Sequence, residues 1–142
     1  MYKIIQGDIL DVNVGIIVHQ VNCKKKMTSG LASQIRNKYP QHYKDFMNHV
    51  PVLGSIVVTK VNPSLFVVGV YGQDSYGYDG AQYTNYEALE NGFKMVKTLS
   101  NETGLDVFIP MNIGCGLGGG KWTTVVQLID KVFDSVTIIQ KN

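Results

Sequence analysis

Asn112-Ile113-Gly114-Cys115-Gly116-Leu117-Gly118-Gly119-Gly120-Lys121-Trp122 is the stretch on which the fold turns. Before it runs Asp106-Val107-Phe108-Ile109-Pro110-Met111, a short apolar segment that reads as a buried strand. After it, Thr123 to Phe133 carries Val125, Val126, Leu128, Ile129, Val132 and Phe133 at helical spacing. The order is strand, glycine loop, helix. Such a loop leaves main-chain N–H groups uncovered and, with a helix N-terminus, aims them at an anion. Glycine lets a phosphate approach the backbone with no Cβ in the way. Five of the seven residues from Gly114 to Gly120 are glycine, more than a turn requires, although a glycine-rich turn without a ligand is the plain alternative.

Two phosphate motifs nearly fit this stretch, and both fail. A P-loop needs Gly in place of Cys115 and Ser or Thr in place of Trp122. Gly114, Gly116 and Gly119 satisfy G-x-G-x-x-G, but the strand that follows, Ser135 to Gln140, lacks the acidic residue of a dinucleotide fingerprint.

The chain of 142 residues suits one domain, 1–142, with a single core. Hydrophobic content of 44% and charged content of 17% exclude a disordered composition. A net charge of +2 gives no nucleic-acid footprint. No apolar run approaches the roughly 18 residues of a membrane span, so no membrane partner is expected. The two cysteines, Cys23 and Cys115, form neither a disulfide framework nor a zinc spacing, and no metal or cofactor is expected. Met1 to Gln6 enters strand pattern directly, without a signal peptide, and a reducing cytoplasm is the expected location.

Along the chain, Tyr2–Gln6 reads as a strand ended by Gly7-Asp8. Val14–His19 is continuously apolar and β-branched, as in a strand buried on both faces, and Gln20 to Gly30 reads as a polar loop. Ser29–Tyr39 is a predicted helix stopped by Pro40, and Gln41–Asn48 a second short one. Val52–Val61 and Leu65–Tyr71 are strands joined by the turn Asn62-Pro63-Ser64 as a hairpin. Gly72–Gln82, rich in Gly, Tyr and Asp, is a long surface loop. Thr84–Leu99 is a helix with Thr84 as N-cap and Glu87 completing a capping box. Val136–Gln140 closes the chain as a strand. This alternation predicts a three-layer α/β/α sandwich on a mixed central sheet. Ligands of such folds bind beyond the carboxyl ends of the strands, where His19, Asn22, Tyr71 and Gly114 are expected to share a crevice.

Four segments in this order resemble a macrodomain: Gly7-Asp8-Ile9, Val18-His19-Gln20-Val21-Asn22-Cys23, Met27-Thr28-Ser29-Gly30-Leu31-Ala32, and Ile113-Gly114-Cys115-Gly116-Leu117. The similarity spans essentially the whole chain, and the subgroup it resembles contains ADP-ribose 1″-phosphate phosphatases and terminal ADP-ribose hydrolases. The resemblance implies ADP-ribose or a derivative as ligand. Asp8 then resembles the adenine reader, with the N–H of Ile9 beside it. Asn22 resembles the distal-ribose residue; a turn residue is its plainer reading. Met27, Ser29, Gly30, Leu31 and Ala32 belong to the first phosphate- and ribose-binding loop. Ile113, Gly114, Cys115, Gly116, Leu117 and Gly118 belong to the second, whose N–H groups wrap the diphosphate, with Cys115 as a packing residue rather than a nucleophile.

For chemistry, His19 stands where some phosphatase-type relatives carry a histidine, as general base or nucleophile; the duller reading is a buried histidine bonded to backbone. Asp74 is a second candidate to orient a water, and Gln73 is placed to reach the distal ribose. The catalytic set is thus His19, Asn22 and Asp74. Hydrolases of this subgroup that act on modified glutamate carry an Asp where this chain has Gly118, and a lysine where it has Gly72-Gln73-Asp74. The expected activity is hydrolysis of ADP-ribose 1″-phosphate. The alternatives are a mono-ADP-ribosyl hydrolase acting on protein or nucleic acid, and a binding module without catalysis. Nucleic acid is a partner only if it carries ADP-ribose, and a monomer is expected.

Overall fold

The computed structural model describes residues 1–141. Six strands form one sheet: β1 (Tyr2–Gln6), β2 (Gly15–Asn22), β3 (Ile56–Asn62), β4 (Leu65–Gln73), β5 (Val107–Pro110) and β6 (Val136–Gln140). Their spatial order is β1-β6-β5-β2-β4-β3. All neighbouring pairs are parallel except β3 with β4, the hairpin turned at Asn62-Pro63-Ser64. Four helices cover the two faces: α1 (Gly30–Lys38) and α2 (Pro40–Asn48) on one, α3 (Tyr86–Thr103) and α4 (Trp122–Val132) on the other. The result is the three-layer sandwich on a mixed sheet that the alternation of patterns predicts.

Period-2 geometry sorts each strand between the two layers. In β2, Ile16 and Val18 pack with α3 and α4 residues Leu89, Phe93, Val125 and Ile129. Ile17 and Val21 face the other layer, against Ile35 of α1 and Phe46 of α2 respectively. Burial on both faces explains why this strand reads as an unbroken apolar run. Pro40, at the first position of α2, ends one helix and starts the next, since its absent N–H would be an orphan there in any case.

Several boundaries move. β2 runs to Asn22 and β4 to Gln73, so Gln20, Val21 and Asn22 belong to a strand, not to the polar loop predicted there. β3 begins at Ile56 rather than Val52. The N-cap of α3 is Asn85, whose side chain accepts from the Ala88 N–H at 2.9 Å, and not Thr84. The capping box with Glu87 is therefore absent. Thr84 is 3% exposed and its hydroxyl is engaged elsewhere, as described below.

α3 lies close on β4 because residue 92 is glycine: a Cβ there would stand 2.3 Å from Val70 Cγ1. Gly92→Ala gains helix propensity of about 1 kcal/mol but drives a methyl into a stiff β-branched neighbour, at a cost of about 1–3 kcal/mol. Urea unfolding is expected to show net destabilisation of Gly92→Ala and its relief in the double variant Gly92→Ala/Val70→Ala, relative to Val70→Ala alone.

Candidate functional site

β2 and β5 are neighbours, yet the chain leaves them in opposite directions. β2 feeds α1 and α2 on one face, whereas β5 feeds α4 on the other. They also pair only at their starts, in the register Ile16↔Val107 and Ile17↔Phe108. Beyond Phe108, β5 stays with β6 through Pro110, while β2 continues to Asn22 beside β4. A crevice opens where the two part, at the carboxyl ends of the parallel strands. It holds a cleft of about 280 Å³ adjoined by a second of about 270 Å³, the two sharing Gly30, Leu31, Pro110 and Met111.

Two lengths of backbone face each other across the larger cleft: Thr28–Ala32 at the start of α1, and Ile113–Gly118 after β5. The N-cap of α1, Ser29, makes no side-chain capping bond, so the first-turn N–H groups, which have no intrahelical partner, are left uncapped. In the second loop, Cys115 N–H is spent on the Asn112 carbonyl at 2.8 Å. Among the described residues, the N–H groups of Gly114, Gly116, Leu117 and Gly118 have no hydrogen-bond partner. The loop then turns back on itself, with Gly119 N–H to Gly116 O at 3.0 Å and Gly120 N–H to Gly114 O at 2.9 Å. Consequently the N-terminus of α4 does not line the cleft, contrary to the sequence expectation; the loop alone forms that wall. Trp122 packs against the larger core.

The second loop is held by a network of neutral groups. Thr84 Oγ1 donates to Gly114 O at 2.7 Å and accepts from Gln20 Nε2 at 2.9 Å; Gln20 Nε2 also donates to Gln73 Oε1 at 2.6 Å. The N–H groups of Tyr83 and Thr84 both donate to Gly118 O, at 2.7 and 2.9 Å. A Cβ on Gly118 would meet Thr84 Oγ1 at 2.5 Å and Gly114 O at 2.8 Å. The aspartate that glutamate-directed hydrolases carry at this place therefore has no room here. Gln20 and Thr84 were invisible as site residues in the sequence, because nothing local marks amides and hydroxyls that meet only through the sheet.

The predicted site residues fare unevenly. Asp8 and Ile9 line the second cleft with Gln34 and Lys141. Asp8 Oδ1 accepts from Leu10 N–H at 2.9 Å and Oδ2 pairs with Lys141 at 3.5 Å. That backbone bond first, then Lys141, hold its carboxyl below the ordinary range, so it is an ionised acceptor. Ser29, Gly30, Leu31, Ala32 and Gln73 line the larger cleft, as do Ile113, Gly114, Gly116, Leu117 and Gly118. Asn22 lines it too, but its amide is occupied: Oδ1 accepts from the N–H groups of Lys24 and Lys26, and Nδ2 donates to Lys26 O at 2.9 Å. The turn reading of Asn22 is thus realised, with one N–H of the amide left over.

Four residues fall outside. Met27 is 1% exposed and sits in the core with Phe46 and Tyr71, because the loop needs an apolar anchor beneath it. Cys115 packs against the larger core, its thiol donating to Ile113 O and raised in pKa by burial. Asp74 is exposed, its carboxylate 3.5 Å from Lys24, and does not line the cleft. The fully buried Tyr71 likewise lies in the core rather than the crevice. The tyrosine-rich loop contributes Tyr76 and Tyr78 instead, and Tyr78 OH lies 2.8 Å from Ser29 Oγ, joining that loop to the first wall.

His19 also lines the cleft, yet it is 2% exposed and its partner is not backbone. Its Nε2 lies 2.8 Å from Nε2 of His42, which is fully buried in α2. Burial, and then the neighbouring His42, lower the His19 pKa well below the ordinary histidine value. Burial likewise pushes His42 down to about 4 against the opposing pull of Asp45. Both rings are neutral at pH 7. Nδ1 of His19 is buried with no partner among the described residues. Among those residues, no cluster of three or more His, Cys, Asp or Glu is arranged to hold a metal ion.

No family sequence model and no curated protein sequence matches the chain. Solved structures do. A protein of unknown function from Bacteroides thetaiotaomicron is similar with a TM-score of 0.82 and 24% identity, over all of this chain and 98% of that one. The macrodomain of Thermus aquaticus DarG follows with a TM-score of 0.80 and 20% identity, over 100% and 98%. Thermosipho africanus DarTG in complex with ADP-ribose gives a TM-score of 0.82 and 18% identity, over 99% of this chain and 41% of that one. The chain has the macrodomain fold.

The two neutral histidines set a pH dependence. Their folded pKa values are lowered, so the unfolded chain binds more protons between pH 6.5 and about 4. Stability is full above pH 6.5 and falls as pH drops through that window. At pH 5 the pair is expected to contribute an uptake of about two protons on unfolding, read from the slope of unfolding free energy against pH in urea titrations.

Proposed function

We propose that the cleft binds ADP-ribose and that the protein hydrolyses ADP-ribose 1″-phosphate to ADP-ribose and inorganic phosphate. The observation that carries the binding part is the pair of facing backbone walls: uncapped N–H groups of α1 opposite the unpartnered N–H groups of Gly114, Gly116, Leu117 and Gly118. Donors of this kind suit a diphosphate and need no arginine clamp. Lys26 is the cationic residue lining that cleft among the described residues. The adenine then lies toward Asp8 and Ile9 in the adjoining cleft, its exocyclic amine donating to the ionised Asp8. The distal ribose lies toward Asn22 and Gln73. The ADP-ribose complex of Thermosipho africanus DarTG supports the same class of ligand.

In the hydrolytic step a water oxygen attacks the terminal phosphorus and the bond from phosphorus to the ribose oxygen breaks. His19 accepts the water proton and returns it to the departing ribose oxygen. N–H groups of the glycine loop stabilise the charge on the phosphate. Asp74, turned to Lys24 outside the cleft, has no part in this step. A second reading, a module that binds ADP-ribose without turnover, is favoured by the Asn22 amide already spent on its own turn. The cleft wall without an aspartate at 118 disfavours the glutamate-directed hydrolases.

Calorimetric titration with ADP-ribose, then phosphate release from its 1″-phosphate, separates these readings. Gly116 is the informative position: a Cβ there meets nothing within 4 Å, so Gly116→Val spares the fold and fills the cleft. It is expected to weaken ADP-ribose affinity by about tenfold or more with unchanged urea stability, about 1.4 kcal/mol of binding. Asp74→Ala is expected to keep wild-type phosphate release. Tight binding without phosphate release would select the non-catalytic module, and absence of ADP-ribose binding would remove both.

A further inference from the structure

Behind His19 runs a chain of hydrogen bonds that leaves no freedom in where its protons sit. Asp45 Oδ2 lies 2.7 Å from Thr59 Oγ1; an ionised carboxylate only accepts, so the Thr59 hydroxyl proton points to it. Thr59 Oγ1 is also 2.8 Å from His42 Nδ1, and with its proton committed it accepts, so His42 carries its proton on Nδ1. Neutral His42 then has a lone pair at Nε2, and His19, 2.8 Å away, must donate from Nε2. The lone pair of neutral His19 is left at Nδ1, the atom that is buried without a partner while its residue lines the cleft. His42 and Thr59 are 0% and 3% exposed, which keeps competing water out of the chain.

We propose that Asp45, Thr59 and His42 are positioning residues that fix His19 in its Nε2–H tautomer and leave its lone pair on Nδ1. The arrangement rests on the reading of His19 as base. It differs from the ordinary carboxylate–histidine pair in that the orienting charge acts through a hydroxyl and a second imidazole. A buried acceptor without a partner costs about 1–3 kcal/mol, a cost that a water or substrate donor at Nδ1 recovers. The relay also accounts for α2 seating a histidine at a fully buried position where a hydrophobe would pack at less cost.

Long-range proton–nitrogen correlation on the full chain labelled with ¹⁵N-histidine reads both tautomers. His42 is expected to be protonated at Nδ1 and His19 at Nε2. Thr59→Val keeps the β-branched shape and removes the hydroxyl. It is expected to release the fixed tautomer of His42 and to lower kcat for ADP-ribose 1″-phosphate by about 10- to 100-fold with KM unchanged, and Thr59→Ser is expected to restore both. A His19 protonated at Nδ1, or tautomers unmoved in Thr59→Val, would overturn the relay. So would full kcat in Thr59→Val alongside an inactive His19→Ala. Full turnover in His19→Ala overturns instead the choice of base, while the nitrogen correlations still judge the relay.

Discussion

The parting of β5 from β2 after Phe108 is the constraint from which the site follows. Had the two strands paired to their ends, the loops after them would have closed over a continuous sheet. Pro110 ends β5 as its fourth residue and offers no N–H toward a neighbour. β2 meanwhile continues beside β4, where an irregularity in register between Val21 and Asn22 accommodates Gly72. That glycine is needed because Gln20 lies across it: a Cβ at 72 would stand 2.2 Å from Gln20 Oε1. The same crossing brings the Gln20 amide under the glycine loop, so the opening of the sheet and the support of its far wall come from one stretch of β2.

The walls of the cleft are built with little charge. Their donors are backbone N–H groups, and the groups that brace them are amides and hydroxyls of Gln20, Gln73 and Thr84. Such a wall depends on geometry held from behind, since neutral hydrogen bonds contribute about 1 kcal/mol each and lose it when misaligned. This explains the density of glycine at 114, 118 and 120, where a Cβ would come within 3.5 Å of the bracing atoms Thr84 and Gly114 O. A chain with a net charge of +2 thereby presents a face of main-chain N–H donors rather than of basic side chains.

Much of this was legible in the sequence because it is local. The unbroken apolar run of β2, the hairpin at Asn62-Pro63-Ser64, the paired helices around Pro40 and the glycine loop each carry their signal within a dozen residues. The errors arise where a tertiary partner outbids a local one. Thr84 reads as an N-cap but bonds Gly114, leaving Asn85 to cap α3. Asn22 keeps its place at the cleft, yet most of its amide is spent on Lys24 and Lys26, which local sequence does not show. Asp74 finds Lys24, and Met27 finds the core. His42 carried no signal at all: in sequence it is a polar residue in a short helix, and its meaning depends on His19, 23 residues earlier, and Thr59, 17 residues later.

The strand order sets a sequence of assembly. β1 stands at the edge of the sheet, and its hydrogen-bonded neighbour is β6, formed by the last strand of the chain. During synthesis β1 must wait, unpaired, for more than a hundred further residues until β6 emerges, and long-range parallel pairing of this kind carries a large loop-closure entropy. The wall bearing Asp8 and Ile9 follows directly on β1 and is fixed only when that pairing forms. The half of the crevice beside β2 and β4 has its strands at hand far sooner, so the pocket is born from its middle outward and its outer end is completed last.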